Sequence, residues 1–284
     1  MPKLNWLFSI FAVAGVYGIA TPVCAQAILP YTPQLDSEQL EENGLNLIRD
    51  VIQLARFGQY DLALPRARLA VQLVPSLYES WYLLGSLQVQ LGEVEPGITS
   101  LQKARKIAPD EPSISLTLGS AYFQQGNYQK AAEELEFGLK ADPDSVEGLF
   151  DLGNAYLMLK RYGEAISNYQ KAFDLESEFW PAINNIGLVK FEQGDVQGAI
   201  ADWQRALTID QEAAEPQLAI AVALYSQGKR EEGIALGEVA LNVDGRYADL
   251  DYLKENLWGE RLIAATAQFL ETPKIKALVA RFEQ

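Results

Sequence analysis

The sequence predicts an all-α solenoid of stacked helical hairpins, closed by a helical C-terminal cap. Three observations carry that expectation. The stretch 112–145, PSISLTLGSAYFQQGNYQKAAEELEFGLKADPDS, reads as helix, tight turn, helix and stop. Its skeleton recurs on both sides at a fixed spacing of 34 residues. The positions that recur most strictly are small.

Within 112–145, Leu118, Gly119 and Tyr122 share one helical face, with Phe123 beside them. Gly126-Asn127 breaks that helix. Tyr128, Ala131, Ala132, Leu135, Gly138 and Leu139 then follow the period of an amphipathic helix. Asp142-Pro143-Asp144 ends it, because proline cannot continue a helix.

The register holds across six units: 44–77, 78–111, 112–145, 146–179, 180–213 and 214–247. The Gly119 column reads Val51, Gly85, Gly119, Gly153, Gly187, Ala221. The Ala131 column reads Ala63, Gly97, Ala131, Ala165, Ala199, Gly233, and the Gly138 column Ala70, Ala104, Gly138, Ala172, Ala206, Ala240. At the turn stand Gly58, Gly92, Gly126, Gly194 and Gly228, with Lys160 the exception. Helices whose backbones nearly touch tolerate only tiny side chains between them, and a larger one costs roughly 1–3 kcal/mol in overpacking. One hairpin cannot bury its own apolar stripe, so neighbours stack into a continuous core.

Leu118-Gly119, Tyr122, Ala131, Leu135 and the late Pro143 also meet the pattern of the tetratricopeptide repeat, which this chain resembles over residues 44–247. The resemblance implies a right-handed α-solenoid that binds protein partners. The terminal proline is kept at Pro75, Pro109 and Pro143 but becomes Ser177, Gln211 and Gly245 later, which leaves those helix ends less sharply fixed.

Residues 1–27 lie outside the repeats. Lys3, an uncharged run from Trp6 to Ala20, Thr21-Pro22 and Ala25-Gln26-Ala27 form a secretory signal peptide pattern, with an uncleaved N-terminal anchor as the alternative. Cleavage there removes Cys24, the only cysteine. The expected address is exported: periplasm, thylakoid lumen or secreted. Residues 28–43 read as a linker with Pro30 and Pro33, then a leading helix opened by Asp36 and Gln39.

Residues 248–284 read as C-terminal capping helices. Leu250, Leu253, Leu257, Leu262, Ala265 and Phe269 fall roughly on one side of a helix over 249–270, and Thr272-Pro273 opens another that ends near Phe282. A bare solenoid end is apolar and must be covered. The tail is similar to those of tetratricopeptide proteins of cyanobacteria and plastids that assist photosynthetic assembly.

Composition narrows the function. Lys+Arg 23 against Asp+Glu 38 gives a formal charge of −15, which excludes a nucleic-acid binder, since phosphate neutralisation supplies most of that affinity. It opposes attachment to anionic lipid too, so membrane association rests on residues 1–27. The absence of histidine removes the commonest general base and metal ligand. No cofactor and no metal site is expected. The carboxylate pairs Glu133-Glu134 and Asp249/Asp251 support a hydrolase only as a remote alternative.

By resemblance, the fifth, ninth and twelfth residues of each unit face a concave groove. That selects Tyr82, Phe123, Phe150, Leu157, Leu188, Phe191 and Tyr225 as an apolar grip, and Asn154, with Asn184 and Asn185, for contacts to a partner's backbone. Pure packing is the alternative for these positions. Phe150 and Glu147 occupy places where the chaperone-tail clamp has lysines, so a cochaperone of that kind is disfavoured. The expected function is a non-enzymatic scaffold that binds proteins or peptides and helps assemble a complex. The runner-up is a subunit that docks through its C-terminal helices.

Overall fold

A computed structural model describes residues 36–282. The chain divides into Met1–Asp36 and the compact unit Ser37–Gln284, to which every helix below belongs. The signal-peptide or anchor stretch, Cys24 and the Pro30/Pro33 linker lie outside the described residues. Among the described residues all regular elements are helical, and no helix is long and apolar enough to cross a membrane.

Twelve helices form six hairpins: α1 (Ser37–Arg56) with α2 (Tyr60–Leu73), α3 (Tyr78–Gln90) with α4 (Val94–Ile107), and α5 (Pro112–Gln124) with α6 (Tyr128–Ala141). They continue with α7 (Val146–Met158) and α8 (Tyr162–Leu175), α9 (Trp180–Gln193) and α10 (Val196–Ile209), then α11 (Ala214–Ser226) and α12 (Arg230–Val243). The leading helix and the first repeat helix are one, since α1 runs unbroken from Ser37. After a 3-10 turn at Gly245–Ala248 come α13 (Leu250–Glu255), α14 (Glu260–Leu270) and α15 (Pro273–Val279).

The single helix read over 249–270 is two. Leu257 takes φ +64°, a left-handed conformation that ends α13 and turns the chain into α14. The last helix starts at Pro273 but ends at Val279, before Phe282.

Each hairpin turn is built alike. Gly126 sits at φ +79°, Asn127 N donates back to Tyr122 O at 2.9 Å, and the Asn127 side chain accepts from Lys130 N to start α6. Gly58, Gly92, Gly194 and Gly228 share the positive φ, and Lys160 adopts it at +58° without glycine's freedom.

The core alternates small and large. A Cβ added at Gly153 would lie 2.5 Å from the Tyr169 ring, and one at Gly85 would lie 2.6 Å from Leu101. Gly119 stands in the same relation to Leu135, and Gly187 to Trp203. The large partner always comes from the second helix of the hairpin. In the sixth hairpin that place holds Gly237, and the ring against it is Phe269 of α14. The C-terminal segment thus supplies the side chain that the last repeat lacks.

The first helices of successive pairs approach one another (α1 with α3, α3 with α5, α5 with α7), so this side is the concave one. At the far end α14 packs on α9 and α11, and α15 on α12.

Candidate interaction groove

The helices of the concave side carry every residue expected to bind, but they do not present them equally. Between α3, α5 and α7 lies an open groove of 360 Å³. Tyr82, Ser86 and Val89 line it from α3, Leu116, Thr117 and Ser120 from α5, and Glu147 and Asp151 from α7. Its apolar lining is Val89, Leu116 and the Tyr82 ring, and the rest is mostly hydroxyl, amide and carboxylate, so the groove is more polar than the sequence suggests.

Of the residues selected from the sequence, Tyr82 lines this groove, and Thr117 Oγ1 donates to its hydroxyl at 3.4 Å. Phe123 is half-buried against Tyr128, with ring centroids 5.2 Å apart. Phe150 is half-buried too, wedged between Tyr169 at 5.6 Å and Phe179 at 5.1 Å.

The remaining residues are buried, apart from Tyr225, which is half-buried. Leu157, Leu188 and Phe191 are buried, the last two almost completely. Tyr225 meets Phe269 edge to face at 5.5 Å, and Leu157 lines a 270 Å³ cavity whose other wall includes Leu257 and Trp258. The C-terminal segment folds onto the concave side at repeats five and six. Glu192 of α9 accepts from Arg261 N (3.1 Å) and Leu262 N (3.0 Å), so α9 supplies the cap that α14 lacks in its own sequence. The Arg261 guanidinium lies over the Phe191 ring at 5.5 Å, and Lys160 Nζ approaches Glu260 at 3.4 Å. Read from the sequence, the groove ran through all six repeats; its open part stops at α7, because its own tail fills the rest.

Asn154, Asn184 and Asn185 do come together, but as a buried chain of hydrogen bonds. Tyr169 Oη and Asn185 Nδ2 both donate to Asn154 Oδ1, at 2.8 and 3.1 Å, and Asn184 Nδ2 donates to Asn185 Oδ1 at 3.2 Å. Trp203 Nε1 donates to the Asn184 carbonyl at 3.1 Å. These buried amides bond mainly to the fold itself, and Asn184 Oδ1 is left without a hydrogen-bond partner. Beside it the Glu215 carboxyl accepts from Trp258 Nε1 at 2.9 Å. Burial pushes the Glu215 carboxyl above its usual range, and its polar neighbours Trp258, Asn184 and Tyr247 only partly oppose it.

Asp151 was not singled out in the sequence. It stands in an otherwise apolar stretch, Leu149-Phe150-Asp151-Leu152, and that isolation was its signal. It accepts a short hydrogen bond from Ser120 Oγ. Burial raises its pKa, the Ser120 hydrogen bond lowers it, and nearby Glu147 raises it further. No cation stands among the groove's lining residues.

Both carboxylate pairs proposed for hydrolysis are otherwise engaged. Arg105 holds Glu134 at 2.7 Å and Gln129 donates to Glu133 at 3.0 Å. Asp249 caps α13 by accepting from Asp251 N, while Asp251 pairs with Lys254.

Family models of the tetratricopeptide repeat match residues 78–111, 116–175 and 187–228. The chain is a tetratricopeptide-repeat α-solenoid. Among solved structures it is similar to MamA, at 25% identity and TM-score 0.52, over 58% of this chain and 96% of that one. It is similar to PilF of Pseudomonas aeruginosa at 14% identity and TM-score 0.63, over 77% and 99% of the two chains. YrrB, a tetratricopeptide-repeat protein with an unusual peptide-binding site, aligns at 16% identity and TM-score 0.52, over 66% and 97%. At those last two identities the likeness is one of fold. A comparison with curated proteins gave no significant match.

Proposed function

We propose that this chain is a non-enzymatic interaction module, exported or held at a membrane by residues 1–27, that binds a protein or peptide segment and helps assemble a complex. The observation that carries the reading is the groove between α3, α5 and α7, left open where the tail covers the rest of the concave side. Concave sites where polar groups converge beside apolar side chains are the usual places for ligands. The peptide-binding site of YrrB, on the same fold, lends support by analogy only.

The alternative of docking through the C-terminal helices has less to rest on. Leu253, Trp258, Leu262, Phe269, Ile275 and Leu278 are all buried against this chain's own repeats and one another. A hydrolase is disfavoured by the engagement of both carboxylate pairs.

Affinity capture from the exported fraction tests the proposal, comparing the wild-type chain with Tyr82→Ala and Thr117→Arg. Specific partners are expected to be lost from both variants while their thermal midpoints stay near wild type. Equal recovery of every partner removes the groove from the reading.

A further inference from the structure

The charge on the open part of the groove is one-sided. Helices α3, α5 and α7 together carry Glu79, Glu147 and Asp151 and not one lysine or arginine. Glu147 and Asp151 are one helical turn apart, so both reach the same stretch of groove wall. Asp151 is half-buried in the groove wall, and its side-chain hydrogen-bond partner is the Ser120 hydroxyl, with no cation beside it. A carboxylate withdrawn from water without a cation is costly, and an incoming cation recovers more there than at an exposed site.

A second observation lies at the same groove. Half-buried Ser86 lines it from α3, and its hydroxyl oxygen has no hydrogen-bond partner. Polar atoms so placed normally find partners. The surrounding chain, at −15, also repels an acidic segment and draws in a basic one.

We propose that the groove between α3, α5 and α7 takes an extended segment of a partner protein and seats one of its lysine or arginine side chains against Asp151 and Glu147. The inference rests on the interaction reading above and adds to it the chemistry of the occupant. The aliphatic stem of the cationic side chain runs along Tyr82 and Leu116, and its head reaches the two carboxylates. A phosphorylated or otherwise acidic segment is the wrong partner for this wall.

Selection of short random peptides on the immobilised full chain tests both levels. Expected are peptides whose binding is lost with Tyr82→Ala, which share a lysine or arginine, and which weaken as salt is raised. Replacing that cation by norleucine should weaken binding about tenfold, or about 1.4 kcal/mol. Asp151→Asn, which keeps an acceptor for Ser120, and the exposed Glu147→Gln should each abolish most of the difference between the cationic and norleucine peptides. Glu147→Gln keeps the test valid if Asp151→Asn proves unstable. Peptides that need Tyr82 but show no cation preference, or whose preference survives both variants, overturn the cationic inference and leave the groove standing. Peptides that bind without regard to Tyr82, or none at all, overturn both.

Discussion

Phe269→Ala isolates the contact by which the tail completes the last repeat. The ring is fully buried, sits against Gly237 and meets Tyr225 edge to face at 5.5 Å. Truncating a buried phenylalanine costs about 3–5 kcal/mol, and the aromatic pair adds roughly 0.5–1.5 kcal/mol to what area alone would give. In a solenoid the loss falls on neighbouring units, so α11, α12, α14 and α15 should loosen while α3–α8 hold. Urea unfolding followed with amide exchange reads both the size and the place of the loss. Gly237→Leu supplies the missing large side chain from within the hairpin, as Leu135 does opposite Gly119. Alone it overpacks against Phe269; in the Phe269→Ala background it should restore about 2 kcal/mol. A loss below about 1 kcal/mol for Phe269→Ala, or the same effect of Gly237→Leu in both backgrounds, would falsify the argument.

Three further outcomes are expected. Lys160→Gly should stabilise by about 0.5–1 kcal/mol, because it relieves a left-handed backbone at φ +58° and gives up only an exposed ion pair; an unchanged unfolding midpoint would contradict this. Glu215→Gln tests the buried carboxyl: its native pKa lies above the unfolded value near 4.5, so the folded state binds the extra proton and stability falls as pH rises from there through the native pKa. The variant should therefore gain on wild type across that window and level off above it, and parallel profiles would refute the assignment. Gly153→Leu should cost at least 1–3 kcal/mol against Tyr169, whereas Gly163→Ala, with open space around it, should change stability by less than about 1 kcal/mol; thermal melts that rank them the other way would discredit the register.

Much of this fold was legible because its rule is local. Every 34-residue unit solves the same packing problem, so the Gly119, Ala131 and Gly138 columns and the turn glycines could be read without coordinates. Lys160 stood out in that register, and the backbone it adopts is the one its neighbours take with glycine. The groove was less legible. Positions on the concave face follow from helical period, but whether solvent reaches them depends on a contact between residues far apart in sequence, such as Glu192 with Arg261 and Leu262. One signal was available. The large residues facing the glycine column run Leu101, Leu135, Tyr169, Trp203 and then Gly237, and that gap announces a side chain arriving from elsewhere.

The buried asparagines explain why the tail settles where it does. A hydrogen-bonded run through Tyr169, Asn154, Asn185 and Asn184 ends near the carboxyl of Glu215, which the concave face alone would leave without its indole donor. Trp258 closes it by giving that carboxyl an indole donor and covering it with an apolar ring. Partly satisfied polar networks are costly in a dry interior, so the network and the tail stabilise each other. Under α3 the buried polar contact is shorter, Ser100 Oγ donating to Gln88 Oε1 at 2.7 Å, and the groove wall of α3, α5 and α7 is hydroxylic and acidic with no cation among its lining residues. The two halves of the concave face are therefore different surfaces: one completed by its own chain, the other chemically incomplete and open to a partner.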